Sequence, residues 1–181
     1  MMNIKKWLAG CLALVSLGAQ AELRVGDMAP DFTAQASMAG KVSTWSLQNA
    51  LKQGPVVLYF YPAAFTPGCT AEAHDFAKAI DQYKALHASV IGVSHDPIEK
   101  LQRFSVSECR SKFPVAADTD GSIMKAYGAV MPVFSNYASR TSYVIAPNGK
   151  IIGVYSNMNP SGHVSTTLDT LKKWTTASHP N

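Results

Sequence analysis

Cys69 follows Thr66-Pro67-Gly68 and opens an alanine-rich amphipathic run, which puts a thiol at the mouth of a helix. With Thr66 as N-cap, Pro67 and Gly68 fill the first two helical positions and Cys69 the third. Backbone N–H groups without helical partners meet the positive end of the helix dipole there, and both favour thiolate over thiol. A nucleophile is the natural use of such a sulfur; its plainer use is a small apolar filler under the turn. Position 72 is glutamate, so the Cys-x-x-Cys pair that disulfide exchange wants is missing.

The neighbours of Cys69 are more specific than its position. Pro62-Ala63-Ala64-Phe65-Thr66-Pro67-Gly68-Cys69 fits the pattern P-x-x-x-T-x-x-C, and here the chain resembles the peroxiredoxin family. The longer stretch "YFYPAAFTPGCTAEAHDF" is similar to its Q-type, bacterioferritin-comigratory branch. "VGDMAPDF", "IGVSHD", "FPVAADTDG" and "RTSYVIAPNGKI" stand in the order of that branch, so the resemblance runs from about Val25 to Trp174.

The resemblance implies a thiol-dependent peroxidase in which the Cys69 thiolate attacks a hydroperoxide in line, becomes sulfenic acid and releases water or an alcohol. It implies Thr66 as the hydroxyl that binds a peroxide oxygen, and Pro62 as a rigid ring without an N–H that limits water at the pocket. Arg140 is implied as the permanent cation that favours the thiolate and steadies charge growing on the leaving oxygen. Glu72, one turn after Cys69, would hold that arginine in place. Taken singly each has a duller use: Thr66 caps the helix, Pro62 ends a strand, Glu72 is a solvated dipole partner and Arg140 a surface cation. No cofactor is implied. The implied partners are a peroxide substrate and a thiol reductant, whether a thioredoxin-like protein, glutaredoxin or glutathione.

Many Q-type relatives carry a resolving cysteine five residues after the first, and this chain has His74 there. Cys109 is the candidate resolving cysteine left beyond the leader, with a buried structural thiol and a one-cysteine cycle open beside it. It is expected late in a helix beginning at Pro97, so a bridge to Cys69 requires that end of the helix to unwind. His74 points about 140° away from Cys69 on a helix and is expected to face solvent. Two other functions stay open on the same fold. One is a thiol-disulfide carrier; the other is an exported binding or holdase module without turnover.

The elements that must position these residues follow from pattern. Pro55 to Tyr61 is a continuous apolar, β-rich run of the kind buried on both faces, and it delivers the chain to the Cys69 turn. Ala73, Phe76, Ala77, Ile80 and Tyr83 then recur at helical spacing. Ser89 to Ser94 predicts a second strand, and Asp96-Pro97-x-Glu99 a capping box that starts a helix running towards Lys112. Residues 31–45 read as an opening hairpin about Met38-Ala39-Gly40-Lys41, and Val115 to Ala117 as a brief strand before a short helix ending at Gly128. Thr141 to Ala146 and Lys150 to Tyr155 flank the Pro147-Asn148-Gly149 turn as a second hairpin. Pro160 to Trp174 predicts a closing helix, with the last seven residues a frayed tail. The order hairpin, βαβα, ββα predicts an α/β, thioredoxin-like fold: a mixed central sheet flanked by helices, with an N-terminal hairpin and a helical insertion between Pro97 and Gly128.

The start of the chain reads as a leader rather than as fold. Lys5 and Lys6 precede an apolar run from Trp7 to Ala19, and Ala19-Gln20-Ala21 has the small-x-small form of a signal-peptidase site. Residues 1–21 are therefore expected to be a signal peptide, and 22–181 a single domain exported to a bacterial periplasm. Leu8-Ala9-Gly10-Cys11 spells a lipoprotein-type box, but almost no apolar segment precedes it. The run is also shorter than the roughly 20 residues that span a bilayer, so no stable membrane association is expected. Loss of the two leader lysines from the sixteen basic residues leaves fourteen against twelve acidic ones, a balance that implies no nucleic-acid surface. The histidines show neither i,i+4 pairing nor Cys-x-x-Cys context, so no metal is expected. A monomer or weak dimer is expected.

Overall fold

The structure, a computed structural model, describes residues 21–178. The leader and its Cys11 box, expected at residues 1–21, lie outside the described residues apart from Ala21.

The opening hairpin is β1 (Thr33–Met38) and β2 (Lys41–Ser46), joined through Ala39 and Gly40 at φ of 52° and 76°. A short helix that the pattern did not announce, α1 (Leu47–Leu51), follows with Ser46 as its N-cap. Next come β3 (Val56–Phe60), α2 (Pro67–Ala85), β4 (Ser89–Ser94), α3 (Ile98–Ser107), β5 (Val115–Ala117) and α4 (Ser122–Ala126). The chain closes with β6 (Thr141–Ile145), β7 (Ile151–Ser156) and α5 (His163–Ser178). One sheet takes all seven strands in the order β2-β1-β5-β4-β3-β6-β7. The run β3, β4, β5 is parallel and both hairpins pair antiparallel to it, which is the mixed sheet expected.

The apolar run of β3 divides between two cores by strand alternation. Val57, Tyr59 and Tyr61 face a core shared with Phe76, Ile80 and Tyr83 of α2, Leu101 and Phe104 of α3, and Leu168 and Leu171 of α5. Val56, Leu58 and Phe60 face the other, closed by Leu47 of α1 and Ile123 and Met124 of α4. A strand covered on both faces by helices has no wet side, hence the absence of polar residues within it.

Two elements end differently from expectation. The helix predicted to run from Pro97 towards Lys112 is shorter, because Pro97 is its N-cap and Asp96 does not form a capping box. At its other end the N–H groups of Glu108 and Cys109 both return to the Phe104 carbonyl, at 2.9 and 3.1 Å, and Arg110 and Ser111 at φ of 51° and 55° turn the chain away. Cys109 therefore lies in the turn after α3, not within the helix. The tail expected to fray after Trp174 instead continues α5 to Ser178.

Candidate active site

Tyr61 is the last residue held to the sheet here, its N–H donating to the Val93 carbonyl at 3.1 Å. The loop from Pro62 to Thr66 is fixed by Asp96, whose Oδ2 accepts from the Ala64 N–H at 2.7 Å and from Ser94 Oγ at 2.9 Å. Lys100 Nζ donates to the other oxygen at 2.6 Å. Asp96 thus anchors the loop rather than capping α3, a role the local pattern concealed. Phe65 is held at φ 68°, unusual for a bulky residue, with its ring edge-on to Phe104 at 5.2 Å.

Thr66 is the N-cap of α2, with Pro67, Gly68 and Cys69 in the first three helical positions as expected. Its side chain does not cap, however. The hydroxyl donates to the Ala63 carbonyl at 3.0 Å, so its lone pairs remain available on an exposed residue. Pro62 is half-buried and lines a small cleft with His95, Pro97 and Tyr137.

Arg140 reaches Cys69 through sheet register. Antiparallel pairing sets Thr141 opposite Phe60, so the residue before β6 comes level with the end of β3, where the loop begins. The guanidinium is 4 % exposed and all three of its nitrogens are committed. Nη2 donates to Cys69 Sγ at 3.4 Å, Nη1 to Glu72 Oε2, and Nε to the Met158 carbonyl at 3.0 Å. A Cβ on residue 68 would lie 3.1 Å from Nη2, so glycine there lets the arginine approach the first turn of α2. Cys69, Glu72 and Arg140 are thus brought together, and the surface placement of Arg140 and the solvated placement of Glu72 are both excluded.

A fourth member escaped the sequence reading. His163, the first residue of α5, is fully buried with Nδ1 2.8 Å from Ser142 Oγ, 3.5 Å from Glu72 Oε1, and Nε2 2.9 Å from the Asn157 carbonyl. A carbonyl only accepts, so Nε2 carries the proton and Nδ1 accepts from the serine. Burial holds the imidazole below its usual range, and the Arg140 charge adds to that. Burial raises the Glu72 carboxyl above the usual carboxylate range while Arg140 pulls the other way. Burial alone would lower Arg140; the charges of Glu72 and then Cys69 more than reverse it, so the guanidinium stays a cation. Glu72 Oε1 has no hydrogen-bond partner, leaving one polar valence of the cluster unmet. Ser142 was the available signal: a hydroxyl at an inward position of an apolar strand calls for a buried partner.

Cys69 and Cys109 are both free thiols buried in the same core. Burial, with the Glu108 charge adding to it, raises the Cys109 thiol far above the usual range, so it is inert where it sits. His74, expected to face solvent, is one-third exposed and also has a protein partner. Its Nε2 lies 2.8 Å from Glu108 Oε2, which ties α2 to the residue beside Cys109. Among the described residues no group of three His, Cys, Asp or Glu side chains is placed to hold a metal ion, and no helix is long and apolar enough to cross a membrane.

A reduced cysteine in the first turn of a helix, under a buried guanidinium and at the end of a central parallel strand, defines a thiol site on a thioredoxin-like α/β fold. The AhpC/TSA family model matches residues 25–154, and the chain belongs to that family. It is 33% identical over 155 residues to peroxiredoxin bcp of Helicobacter pylori, covering 83% of this chain and 99% of that one. It is 32% identical over 153 residues to the chloroplastic peroxiredoxin Q of Sedum lineare, covering 84% and 80%. The crystal structure of peroxidoxin BcpB from Mycobacterium tuberculosis superposes with a TM-score of 0.76 at 31% identity, covering 84% of this chain and 98% of that one. The resemblance to Q-type peroxiredoxins read around Cys69 is borne out by relatives of that name.

Proposed function

We propose that Cys69 is the peroxidatic residue through which this protein, a thiol-dependent peroxidase, reduces hydrogen peroxide and small organic hydroperoxides. The observation that carries this is Arg140 Nη2 on the Cys69 sulfur, with the same guanidinium locked by Glu72. A fixed cation at the reacting sulfur meets the charge that develops in the transition state without the reorganisation that water would need. The thiolate attacks one peroxide oxygen, the O–O bond breaks, and the leaving oxygen departs as water or alcohol after taking a proton. The Thr66 hydroxyl, its proton already given to Ala63, presents lone pairs to the incoming peroxide O–H. Arg140 steadies the charge on the departing oxygen, and Pro62 narrows the approach without adding a donor.

Cys109 acts as resolving thiol once its turn opens, and a thioredoxin-like protein, glutaredoxin or glutathione then restores both thiols. The protein works without a metal or nucleic acid, as a monomer or weak dimer. It is exported to a periplasm as residues 22–181, on the strength of Lys5, Lys6, the apolar run and Ala19-Gln20-Ala21. Recovery of periplasmic protein that begins at Glu22 is the expected result; a mature chain that keeps the leader overturns this.

Peroxide consumption supported by dithiothreitol tests the activity, and the intact protein is expected to clear micromolar hydrogen peroxide. No consumption would leave the binding module. Reduction of insulin disulfides in the absence of peroxide would indicate the carrier instead.

A further inference from the structure

We infer that His74 and Glu108 are positioning residues for the second half of the cycle: their contact keeps the Cys109 turn seated against α2, and the Cys69–Cys109 disulfide forms only as that contact opens. This rests on Cys109 being the resolving thiol.

His74 lies five residues beyond Cys69 on α2, and a carboxylate can only accept, so its Nε2–H donates to Glu108 Oε2 at 2.8 Å. The two side chains are 33% and 17% exposed, so water competes only in part for this bond. Glu108 is the C-cap of α3, and the next residue is Cys109. Both return their N–H to Phe104, whose ring stacks on Tyr61 at 5.5 Å and is fully buried. Phe113, also buried, fixes the far side of the turn. Ser105 is held as well, its buried Oγ lying 3.0 Å from Ser37 Oγ and accepting from the Gly40 N–H at 3.0 Å, so the segment from Val106 to Lys112 is the part that can swing. Motion that exposes the Cys109 sulfur must carry Glu108 away from His74, because a single peptide unit joins Glu108 to Cys109.

The rest of the turn is poised to move. Arg110 and Ser111 are both held in the left-handed region, which residues with a side chain adopt rarely. The turn keeps this conformation through Ser111 N–H to the Ser105 carbonyl and Lys112 N–H to the Cys109 carbonyl, each at 2.9 Å. In the closed state Cys109 is a buried thiol next to a carboxylate, and a thiol does not attack sulfenic acid. On opening, Cys109 loses its proton to water and its thiolate attacks the Cys69 sulfur. The S–S bond forms, the S–O bond breaks, and the hydroxide that leaves takes up a proton as water. Peroxide has already supplied the oxidising equivalents, so no further oxidant is needed. The lifetime of Cys69 sulfenic acid is therefore set by the His74–Glu108 contact. While it stays closed, an external thiol has time to reach Cys69; once it opens, the internal route wins.

The test adds one equivalent of hydrogen peroxide to the intact protein and follows, by quenched-flow mass spectrometry, first the sulfenic acid and then the species lighter by two hydrogens. His74→Ala and Glu108→Ala are expected to form the disulfide about tenfold faster than wild type, the scale of one charge-assisted hydrogen bond. The sulfenic acid itself should appear at an unchanged rate. His74→Gln places an amide N–H where Nε2–H lies and is expected to return the disulfide rate to within about twofold of wild type. In a Cys69→Ser background without peroxide, iodoacetamide should alkylate Cys109 faster in the two alanine variants by a similar factor. An unchanged or slower disulfide in both alanine variants overturns the inference, as does His74→Gln behaving like His74→Ala. Absence of the disulfide in every variant while peroxide is still consumed also overturns it, and leaves Cys69 as the peroxidatic residue. Failure to consume peroxide at all removes both readings together.

Discussion

Cys69→Ser is expected to reduce peroxide consumption to the rate of buffer with dithiothreitol, a loss of more than about a thousandfold, while the protein folds as before. The replacement is nearly isosteric, and the serine oxygen can accept from Arg140 Nη2 where the sulfur now does, so the buried guanidinium keeps its partners. What is lost is the nucleophile. A serine hydroxyl is a weak nucleophile at neutral pH, whereas sulfur is intrinsically the better attacking atom. Cys109→Ser supplies the contrast, because dithiothreitol can reduce Cys69 sulfenic acid directly and consumption should continue. Thermal midpoints of both variants, read by circular dichroism, separate chemistry from folding. If Cys69→Ser keeps a tenth of the wild-type rate, or Cys109→Ser is the variant that goes silent, the peroxidatic residue has been assigned to the wrong sulfur.

How far such a site could be read beforehand depends on the range of the interactions that build it. The Thr66 to Cys69 cap turn and the apolar run of β3 are local, and both were legible because proline, glycine and strand alternation act within a few residues. Arg140, 71 residues from Cys69, came only through resemblance; its placement needs β6 beside β3 in one particular register, which no local pattern encodes. Asp96 shows the opposite failure. Its spacing to Glu99 fits a capping box, yet its carboxylate serves Ala64, 32 positions earlier, because an unpaired N–H in the loop before Cys69 is the more deeply buried donor. Helix geometry gives half of the answer for His74. The helix turns it away from Cys69 and leaves it one-third exposed, but the direction it faces also holds Glu108, which no local pattern announces.

Arg140→Met is expected to slow peroxide-dependent oxidation of Cys69 by about 10²–10³, the usual consequence of deleting one preorganised donor at developing charge. Methionine roughly keeps the buried volume and removes every nitrogen that now serves Cys69, Glu72 and the Met158 carbonyl. The same change strands Glu72, fully buried on α2, and breaking a buried pair from one side costs on the order of 3–5 kcal/mol. The carboxyl can escape part of that cost by taking a proton. Burial already raises it, and with the opposing pull of Arg140 gone it rises further. The native state then holds a proton that the unfolded state releases, so the stability of the variant must fall as pH rises above the ordinary carboxylate range. Adding Glu72→Gln removes the titrating group, and the double variant should regain stability and lose that slope. It should not regain the rate, since no cation faces the sulfur in either variant. Stopped-flow oxidation of Cys69 and urea unfolding at pH 5 and about pH 8 read the two effects separately. A double variant that recovers both would mean that Arg140 matters to this site only as a counter-ion for Glu72.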